Sequence, residues 1–432
     1  MSETTRPRGG PLAAAQTEIL KCPRCGQCRA YCPVFDELRD EASVARARIA
    51  VAKALLEGRA TADGDARRCL EECTLCMACT ANCPSGVAVE DIVLAARAEL
   101  ARRLGVSTLH RAAFELLARR DDALHLLTRA AGALQWIPFT RLPEDSGLRL
   151  RFPLFGLERR VLPPIARRPL LQQLPPRVGD GPRGEVTYFV GCYDRYMDTK
   201  VGRAVVGVLT HNGFAVHLPP EQGCCTLPLL ANGVREVALA RMRRNVDLLL
   251  ASGGRTVVTA CASCGSALRH FYTTTFRAEG DREYADKASA LADRTRDLTE
   301  FLAAAGLRQP RHEQRLTVTF HQPCHLGRGQ GVNSQPRELL RSVPGIQFVE
   351  MADADRCCGG AGTFSFAHYE LAQRINDRKI DSIAASGAEI VATECPGCKL
   401  QLTDGLIRRG LPQRVRQVVE ILADAYGSDA LT

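Results

Sequence analysis

Two stretches in the second half of the chain alternate short apolar runs with longer amphipathic runs. In the first stretch, the apolar runs at 186–190, 215–218 and 256–260 have the length and composition of buried strands. Amphipathic segments at 200–211 and 236–251 lie between them, and each is followed by Asn-Gly or Gly-Gly, which stop helices. This order of strands and helices predicts a parallel sheet with helices on its faces.

The same pattern occurs again about 130 residues further on. The sequence VTYFVGC, ending at Cys192, matches VTFHQPC, ending at Cys324. Likewise TVVTACASC, ending at Cys264, matches EIVATECPGC, ending at Cys398. Two copies of this length form two domains or one pseudo-symmetric pair. The first part of the chain differs, because its short helical stretches are separated by cysteine runs and show no strand pattern.

These patterns predict an α+β multidomain protein. We expect a helical domain at 1–104, a helical and Pro/Arg-rich connector at 105–183, and two pseudo-symmetric α/β domains at 184–310 and 311–432. The cysteines of the α/β domains follow the carboxyl ends of predicted strands, where open α/β sheets usually hold ligands.

Composition adds 19 cysteines and a formal net charge of +9 over 432 residues. The N-terminus has no apolar secretory segment, and no apolar run has the length of a membrane-spanning helix. We therefore expect a cytoplasmic protein whose thiolates bind metal rather than forming disulfides. The charge is localised, because 102–183 holds 15 arginines and no lysine against 7 acidic residues. We interpret this segment as a docking surface.

All the cysteines fall into four groups. The groups are Cys22, Cys25, Cys28 and Cys32; Cys73, Cys76, Cys79 and Cys83, with Cys69 upstream; Cys192, Cys224, Cys225, Cys261 and Cys264; and Cys324, Cys357, Cys358, Cys395 and Cys398. The first two groups share the spacing C-x2-C-x2-C-x3-C-P, the bacterial ferredoxin pattern, in which the fourth cysteine binds the other cluster.

This pattern predicts two cubane [4Fe–4S] clusters. Cluster 1 would be held by Cys22, Cys25, Cys28 and Cys83, and cluster 2 by Cys73, Cys76, Cys79 and Cys32. Structural zinc is the alternative, but zinc requires neither a third cysteine two residues on nor a fourth before proline. We expect Cys69 to be a spare, buried thiol.

The two later groups have an unusual number of sulfurs. Each contains an adjacent cysteine pair, which can serve two irons of one cluster more easily than one tetrahedral ion. Five sulfurs exceed the four of a zinc site or a simple cube, so either one cysteine per copy is idle or the cluster is unusual. His321 and His325 flank Cys324. We favour packing or support of the site over direct ligation, with proton handling as a third option.

Other motifs exclude some functions. A literal G-x-G-x-x-G at 179–184 precedes a strand and contains Pro182, so we expect no flavin or nicotinamide site in this chain. The connector also has near-helical apolar spacing at 113–134, which favours packing on protein over contact with a membrane. Nucleic acid ranks last as a partner, because stacking aromatic residues are scarce.

Together, these motifs resemble the iron–sulfur subunits of bacterial membrane-associated flavin dehydrogenases. The family includes the iron–sulfur subunits of glycolate oxidase and of anaerobic glycerol-3-phosphate dehydrogenase, and the lactate-utilisation iron–sulfur protein. Its cysteine-rich CCG domains are shared with heterodisulfide reductase. The carriers are the two ferredoxin motifs, CPSGV at 83–87, YADK at 284–287 and CCGGAGT at 357–363. One departure is Thr226, where the family pattern has the glycine of Cys-Cys-Gly, so close backbone approach there is in question.

The resemblance implies an N-terminal ferredoxin domain followed by two CCG domains. By similarity to heterodisulfide reductase, each five-cysteine set would hold a noncubane [4Fe–4S] cluster. The implied function is electron transfer from an FAD-containing dehydrogenase subunit to quinone or another membrane acceptor, at the inner face of the cytoplasmic membrane. The partner would oxidise glycolate, lactate or glycerol 3-phosphate, and this chain would have no organic-substrate site. The alternative is a catalytic subunit that reduces a disulfide or quinone at its noncubane clusters.

Overall fold

The computed structural model describes residues 10–119, 121–142, 146–154 and 156–427. Residues 1–9 of the predicted first domain and 428–432 of the predicted last domain lie outside these ranges. The predicted fold class is confirmed, since a helical N-terminal part precedes two α/β parts. Among the described residues, no helix is long and apolar enough to cross a membrane.

The N-terminal part consists of short helices separated by the cysteine loops. They are α1 Gln16–Leu20, α2 Pro33–Leu38, α3 Ala45–Leu56, α4 Gly64–Glu71, α5 Ala78–Ala81 and α6 Val89–Leu104. Pro33, directly after Cys32, is the first residue of α2, where a missing N–H costs nothing. The Asp63 side chain accepts a hydrogen bond from Ala66 N–H and so caps α4. The C-P motif thus marks the start of a helix.

The connector has more regular structure than its proline content suggests. Its elements are α7 Thr108–Arg119, α8 Asp121–Leu134, β1 Phe139–Arg141, β2 Leu148–Leu150 and β3 Arg177–Val178. α7 packs against α12 of the next part, whereas α8 has no buried side chain among its described residues. β3 pairs antiparallel with β5 and so extends the sheet of the next part.

The first α/β part confirms the predicted succession of strands and helices. Its elements are β4 Glu185–Tyr188, α9 Gly191–Tyr196, α10 Thr199–His211, β5 Ala215–His217, α11 Leu227–Ala231, α12 Arg235–Ala251, β6 Thr256–Thr259, α13 Ala262–Ser266, α14 Tyr272–Ala278, α15 Arg282–Arg294, β7 Thr295–Asp297 and α16 Leu298–Ala305. The strand order is β3-β5-β4-β6-β7, and all pairs except β3–β5 are parallel.

The second α/β part repeats this plan. Its elements are β8 Leu316–Phe320, α17 Cys324–Gln330, α18 Gln335–Arg341, β9 Ile346–Phe348, α19 Phe364–Ala367, α20 Tyr369–Ala385, β10 Ile390–Thr393, α21 Pro396–Arg408, β11 Arg414–Gln417 and α22 Val418–Tyr426. Its parallel strands have the order β9-β8-β10-β11, which matches β5-β4-β6-β7. The cysteines of both parts follow strand ends, as the pattern predicts.

Shared apolar cores join the parts. One core runs from Ile49 and Ile92 of the N-terminal helices to Val237 and Met242 of α12. A second core contains side chains from both parallel sheets. Because these cores are continuous, the four cysteine groups are held in fixed positions relative to one another.

Candidate iron–sulfur sites

The two N-terminal cysteine loops share an unusual backbone conformation. In each loop the residues directly before and after the second cysteine are left-handed. The φ angles are 60° at Arg24 and 86° at Gly26 in the first loop, and 53° at Leu75 and 58° at Met77 in the second. Left-handed backbone is unfavourable for residues with a Cβ, by about 1 kcal/mol or more each. Both loops nevertheless adopt it, so the repeated cysteine spacing corresponds to a repeated local fold.

The second loop surrounds a cavity of about 360 Å³. Four of the lining residues are Cys32, Cys73, Cys76 and Cys79, the set predicted for cluster 2. Burial raises the pKa of Cys79 well above its usual value, and the neighbouring thiols of Cys73, Cys76 and Cys32 raise it further. Such crowded thiols ionise readily only beside strong positive charge, which iron supplies. The donor set therefore fits a thiolate-bound cluster, and its assignment to cluster 2 remains a prediction.

The set predicted for cluster 1 lies nearer the surface. Cys25 is exposed, while Cys22, Cys28 and Cys83 are half-buried. Burial raises the pKa of Cys28, and the nearby Cys32 and Cys22 thiols contribute to the same shift. α5, which precedes Cys83, packs against the short helical turn at 27–31 that contains Cys28. This contact is consistent with the predicted exchange of fourth ligands between the loops.

A buried cation, Arg48, also lines the cavity of the second loop. Its Nε donates to the Cys69 carbonyl at 3.0 Å, and its Nη1 lies 4.0 Å from Cys32 Sγ. Burial opposes its charge, but the thiols of Cys73, Cys32 and Cys69 outweigh burial and raise its pKa. Cys69 itself is buried and contacts the Ala42 carbonyl at 3.1 Å, as expected for a spare thiol. Arg48 thus places a permanent positive charge beside four potential thiolates.

The five cysteines of the first CCG copy form one line of contacts. Cys192 contacts Cys224, which contacts Cys225, and Cys225 contacts Cys264, which contacts Cys261. The contacts with Cys224 and Cys264 lower the pKa of Cys225 well below its usual value despite burial. The structure thus brings together all five residues that the sequence singled out.

The second copy collects its cysteines in the same way. Cys324 contacts Cys357, Cys358 contacts Cys398, and Cys398 contacts Cys395. The backbone after the cysteine pair is left-handed in both copies, with φ of 65° at Thr226 and 80° at Gly359. In both, the N–H of this residue lies 3.4 Å from the sulfur of the first cysteine of the pair. Thr226 therefore reproduces the glycine conformation, which answers the question that its side chain raised.

The two histidines beside Cys324 have different surroundings. The imidazole of His321 and the sulfurs of Cys358 and Cys398 lie within 4.8 Å of one another. His325 instead contacts the Leu75 carbonyl of the second ferredoxin loop through Nε2 at 3.1 Å. Burial lowers the pKa of His325. His325 therefore links a CCG copy to a ferredoxin loop, whereas His321 faces cysteine sulfurs.

Sulfur contacts also connect the separate groups. Cys76 of the second ferredoxin loop contacts Cys357 of the second copy, and this contact and burial raise the pKa of Cys76. Cys261 and Cys395, which are equivalent in the two copies, contact each other. The cluster-2 cavity, the second copy and the first copy therefore form one continuous array.

Sequence reasoning missed Arg48 and these contacts between groups. A signal for Arg48 was present, because it shares the buried face of α3 with Ile49, Ala52 and Leu55, where a charge is out of place. The contacts between groups had no local signal, since they join residues far apart in the chain.

Comparisons with known proteins agree with this architecture. The model of the 4Fe-4S dicluster domain matches residues 18–87, and the model of the cysteine-rich CCG domain matches residues 186–269 and 318–403. The chain is 29% identical over 424 residues to the probable glycolate oxidase iron-sulfur subunit of Bacillus subtilis (strain 168), covering 95% of this chain and 94% of the relative.

Two further relatives share part of the chain. Lactate utilization protein A 2 of Bacillus cereus is 31% identical over 240 residues, 55% of this chain and 98% of the relative. An iron–sulfur-type relative from Methanothermobacter marburgensis, one of the subunits of its CoM/CoB fumarate reductase, is 34% identical over 253 residues, 58% of this chain but only 48% of the relative. The chain belongs to the family of CCG-domain iron–sulfur proteins with a 4Fe-4S dicluster domain.

Proposed function

We propose that this chain is the electron-transfer subunit of a flavoprotein dehydrogenase complex. The observation that carries the proposal is the continuous array of cysteine groups, from the cluster-2 cavity through Cys76 and Cys357 to Cys395 and Cys261. When bound, iron–sulfur clusters accept and release single electrons. A protein that holds such groups in contact has the arrangement needed for electron transfer over a long distance.

The proposed ligand sets are those predicted from the sequence. Two cubane [4Fe–4S] clusters would use the ferredoxin cysteines, with Cys83 and Cys32 exchanged between the loops. Two further [4Fe–4S] clusters, noncubane by resemblance, would use the five-cysteine sets. This chain's own contribution is to hold the thiolates in place, to bury most of them from water and to place Arg48 beside the second loop.

The proposed electron donor is an FAD-containing dehydrogenase subunit, and the acceptor is quinone or a membrane anchor protein. The relatives named as glycolate oxidase iron-sulfur subunit and lactate utilization protein support a 2-hydroxy acid as the partner's substrate. Glycerol 3-phosphate is the other substrate that the sequence resemblance implies.

We place the protein at the inner face of the cytoplasmic membrane, with α8 toward anionic lipid. The outward face of α8 and the turn after it is apolar, since Leu126, Leu127, Leu134 and Ile137 are all more than half exposed. Exposed Arg129 and Arg151 lie in the same arginine-rich connector. An apolar helix face within a basic segment suits the surface of an anionic bilayer better than the core of a protein.

A specific observation favours a second function, reduction of a disulfide at the CCG sites. Cys261 and Cys395 bring the two five-cysteine sets into contact, so one substrate could meet both sets. An EPR signal of the oxidised protein that changes on addition of a thiol substrate would favour this catalytic role. An unchanged signal would leave electron transfer as the function.

The main test uses the isolated chain, purified without oxygen. We expect about sixteen irons per chain, four for each of four clusters, with matching sulfide. We also expect no oxidation of glycolate, lactate or glycerol 3-phosphate until a flavoprotein subunit is added. Zinc without iron, or hydroxy-acid turnover by the isolated chain, would contradict the proposal.

A further inference from the structure

The two CCG copies differ at one buried position beside their cysteines. The residue three positions before Cys192 is Phe189, and the residue three positions before Cys324 is His321. Both side chains are almost fully buried. Their backbones also match, because Phe189 N–H donates to the Val258 carbonyl at 2.8 Å and His321 N–H donates to the Ala392 carbonyl at 2.9 Å. The same place in the fold therefore has a phenyl ring in one copy and an imidazole in the other.

His321 is directed at sulfur. Its imidazole lies within 4.8 Å of Cys358 and Cys398, whose sulfurs are equally close to each other. Contact with Cys398 and with His321 lowers the pKa of Cys358 although burial raises it. The Nδ1 atom of His321 is buried and has no hydrogen-bond partner in the described part of the chain. A buried polar ring of this kind needs a partner, and the nearby cysteine sulfurs supply one.

We propose that His321 donates an N–H hydrogen bond to the cysteine sulfurs of the C-terminal CCG site and thereby gives that site the higher reduction potential of the two. The proposal rests on the proposed function, in which both five-cysteine sets hold redox-active iron. A hydrogen bond to a ligand sulfur stabilises negative charge, so it favours the reduced form of the group. Phe189 provides no donor, so the N-terminal site lacks this stabilisation. His321 is a positioning and tuning residue in this role rather than a ligand.

The position of the C-terminal site gives this difference a purpose. Cys357 of this site contacts Cys76, whereas the N-terminal site is reached through Cys395 and Cys261. A higher potential at the C-terminal site favours uptake of an electron from the second ferredoxin loop. The two copies would thus have separate tasks despite their common fold.

Reciprocal variants of the full chain test the proposal. His321→Phe gives the C-terminal site the side chain of the N-terminal site, and Phe189→His makes the reverse change. In EPR-monitored redox titrations we expect H321F to move one midpoint to lower potential and F189H to move a different midpoint to higher potential. His321→Gln retains an N–H donor and should restore most of the shift seen in H321F.

Iron analysis separates the possible failures. Full iron in H321F with unchanged midpoints would overturn the hydrogen-bond proposal. Loss of one cluster's iron in both H321F and H321Q would also overturn it, by identifying His321 as a ligand. Absence of iron from the wild-type chain would instead contradict the proposed function. If F189H does not fold, the comparison of H321F with H321Q decides the question alone.

Discussion

Arg48 carries a positive charge on the buried face of α3, where its neighbours are apolar. Replacement by Met keeps the volume but removes the hydrogen bond to the Cys69 carbonyl and the charge beside the second loop. We expect R48M to lower the free energy of unfolding by about 1–3 kcal/mol, because a buried carbonyl loses its donor. We also expect a lower midpoint potential for the group held by Cys73, Cys76 and Cys79. Anaerobic denaturant unfolding and EPR titration measure the two effects.

Lys53 provides a matched control for Arg48. It lies on the same helix, but its side chain is 30% exposed and pairs with Glu57 on the surface. Lys53→Met should change the unfolding free energy by less than about 0.5 kcal/mol and leave every midpoint in place. Equal effects of K53M and R48M would show that Arg48 has no special electrostatic role.

Thr226 and Gly359 occupy equivalent left-handed positions, but only one has room for a side chain. A Cβ at Gly359 would lie 2.5 Å from the Ala372 carbonyl oxygen of α20. We expect Gly359→Ala to cost about 2–4 kcal/mol, since overpacking and a positive φ both oppose it. Thr226→Gly relieves the positive φ while removing a few contacts, so it should change stability by less than about 1 kcal/mol. Thermal unfolding and iron content of both variants check this asymmetry.

A fully stable G359A would show that α20 moves away easily and that the glycine is not required by packing. The pair also shows what the sequence predicts at single positions. The cysteines are identified from spacing alone, because the spacing is a direct requirement of cluster binding. The conformation of Thr226 is not, because propensity disfavours a left-handed threonine and only the surrounding packing imposes it.

Arg97 joins two helices and two domains. From α6 its guanidinium donates to the carbonyls of Leu70 and Cys73 at the end of α4 and to Ala231 of the first CCG copy. These carbonyls are among those that α4 and α11 leave unpaired at their C-terminal ends. We expect Arg97→Met to lower the free energy of unfolding by about 3 kcal/mol or more, because several buried acceptors lose one donor. Denaturant unfolding measures the loss, and hydrogen exchange should show faster opening around Leu70.

Arg103 on the same helix is the control, since its partner Glu99 is also held by Arg102. Arg103→Met should cost about 1 kcal/mol or less. A similarly small loss in R97M would mean that water replaces the guanidinium at the end of α4.

Secondary structure in the CCG copies was largely predictable. Strands such as β4 and β6 are continuous apolar runs, and α10 and α12 have amphipathic spacing with clear stop signals, so local sequence and tertiary packing agree. The connector was less predictable. Its proline content suggested an extended chain, but α7 finds a packing partner in α12 and β3 finds one in β5. Such elements depend on distant surfaces that local patterns do not describe.

The arrangement of the whole molecule was the least predictable feature. The internal repeat predicts two similar domains but not which faces meet. In the structure the equivalent residues Cys261 and Cys395 meet, and Ala262 N–H donates to the Glu394 carbonyl at 2.9 Å beside them. The N-terminal domain packs on both copies, through Arg97 on one and His325 on the other. The order of the cysteine groups therefore follows from long-range packing.

The exposed face of α8 predicts how the assembled molecule meets a membrane. We expect the wild-type chain to sediment with vesicles containing phosphatidylglycerol, to bind phosphatidylcholine vesicles weakly, and to lose affinity as salt rises. The double variant Leu126→Asp, Leu127→Asp removes apolar area and adds negative charge at two side chains that are 71% and 52% exposed. It should weaken binding by about tenfold or more, because each buried leucine contributes more than about 1 kcal/mol.

Leu20→Asp is the matched control, since Leu20 is 60% exposed but lies on α1 of the ferredoxin domain. It should leave vesicle binding unchanged. Both variants should keep the iron content and the unfolding midpoint of the wild type, because none of the three leucines is buried. If L20D weakens binding as much as the double variant, attraction is general and no lipid-facing surface exists on α8. If wild-type protein ignores anionic vesicles, the apolar face of α8 belongs to a protein partner, and the chain reaches the membrane only through that partner.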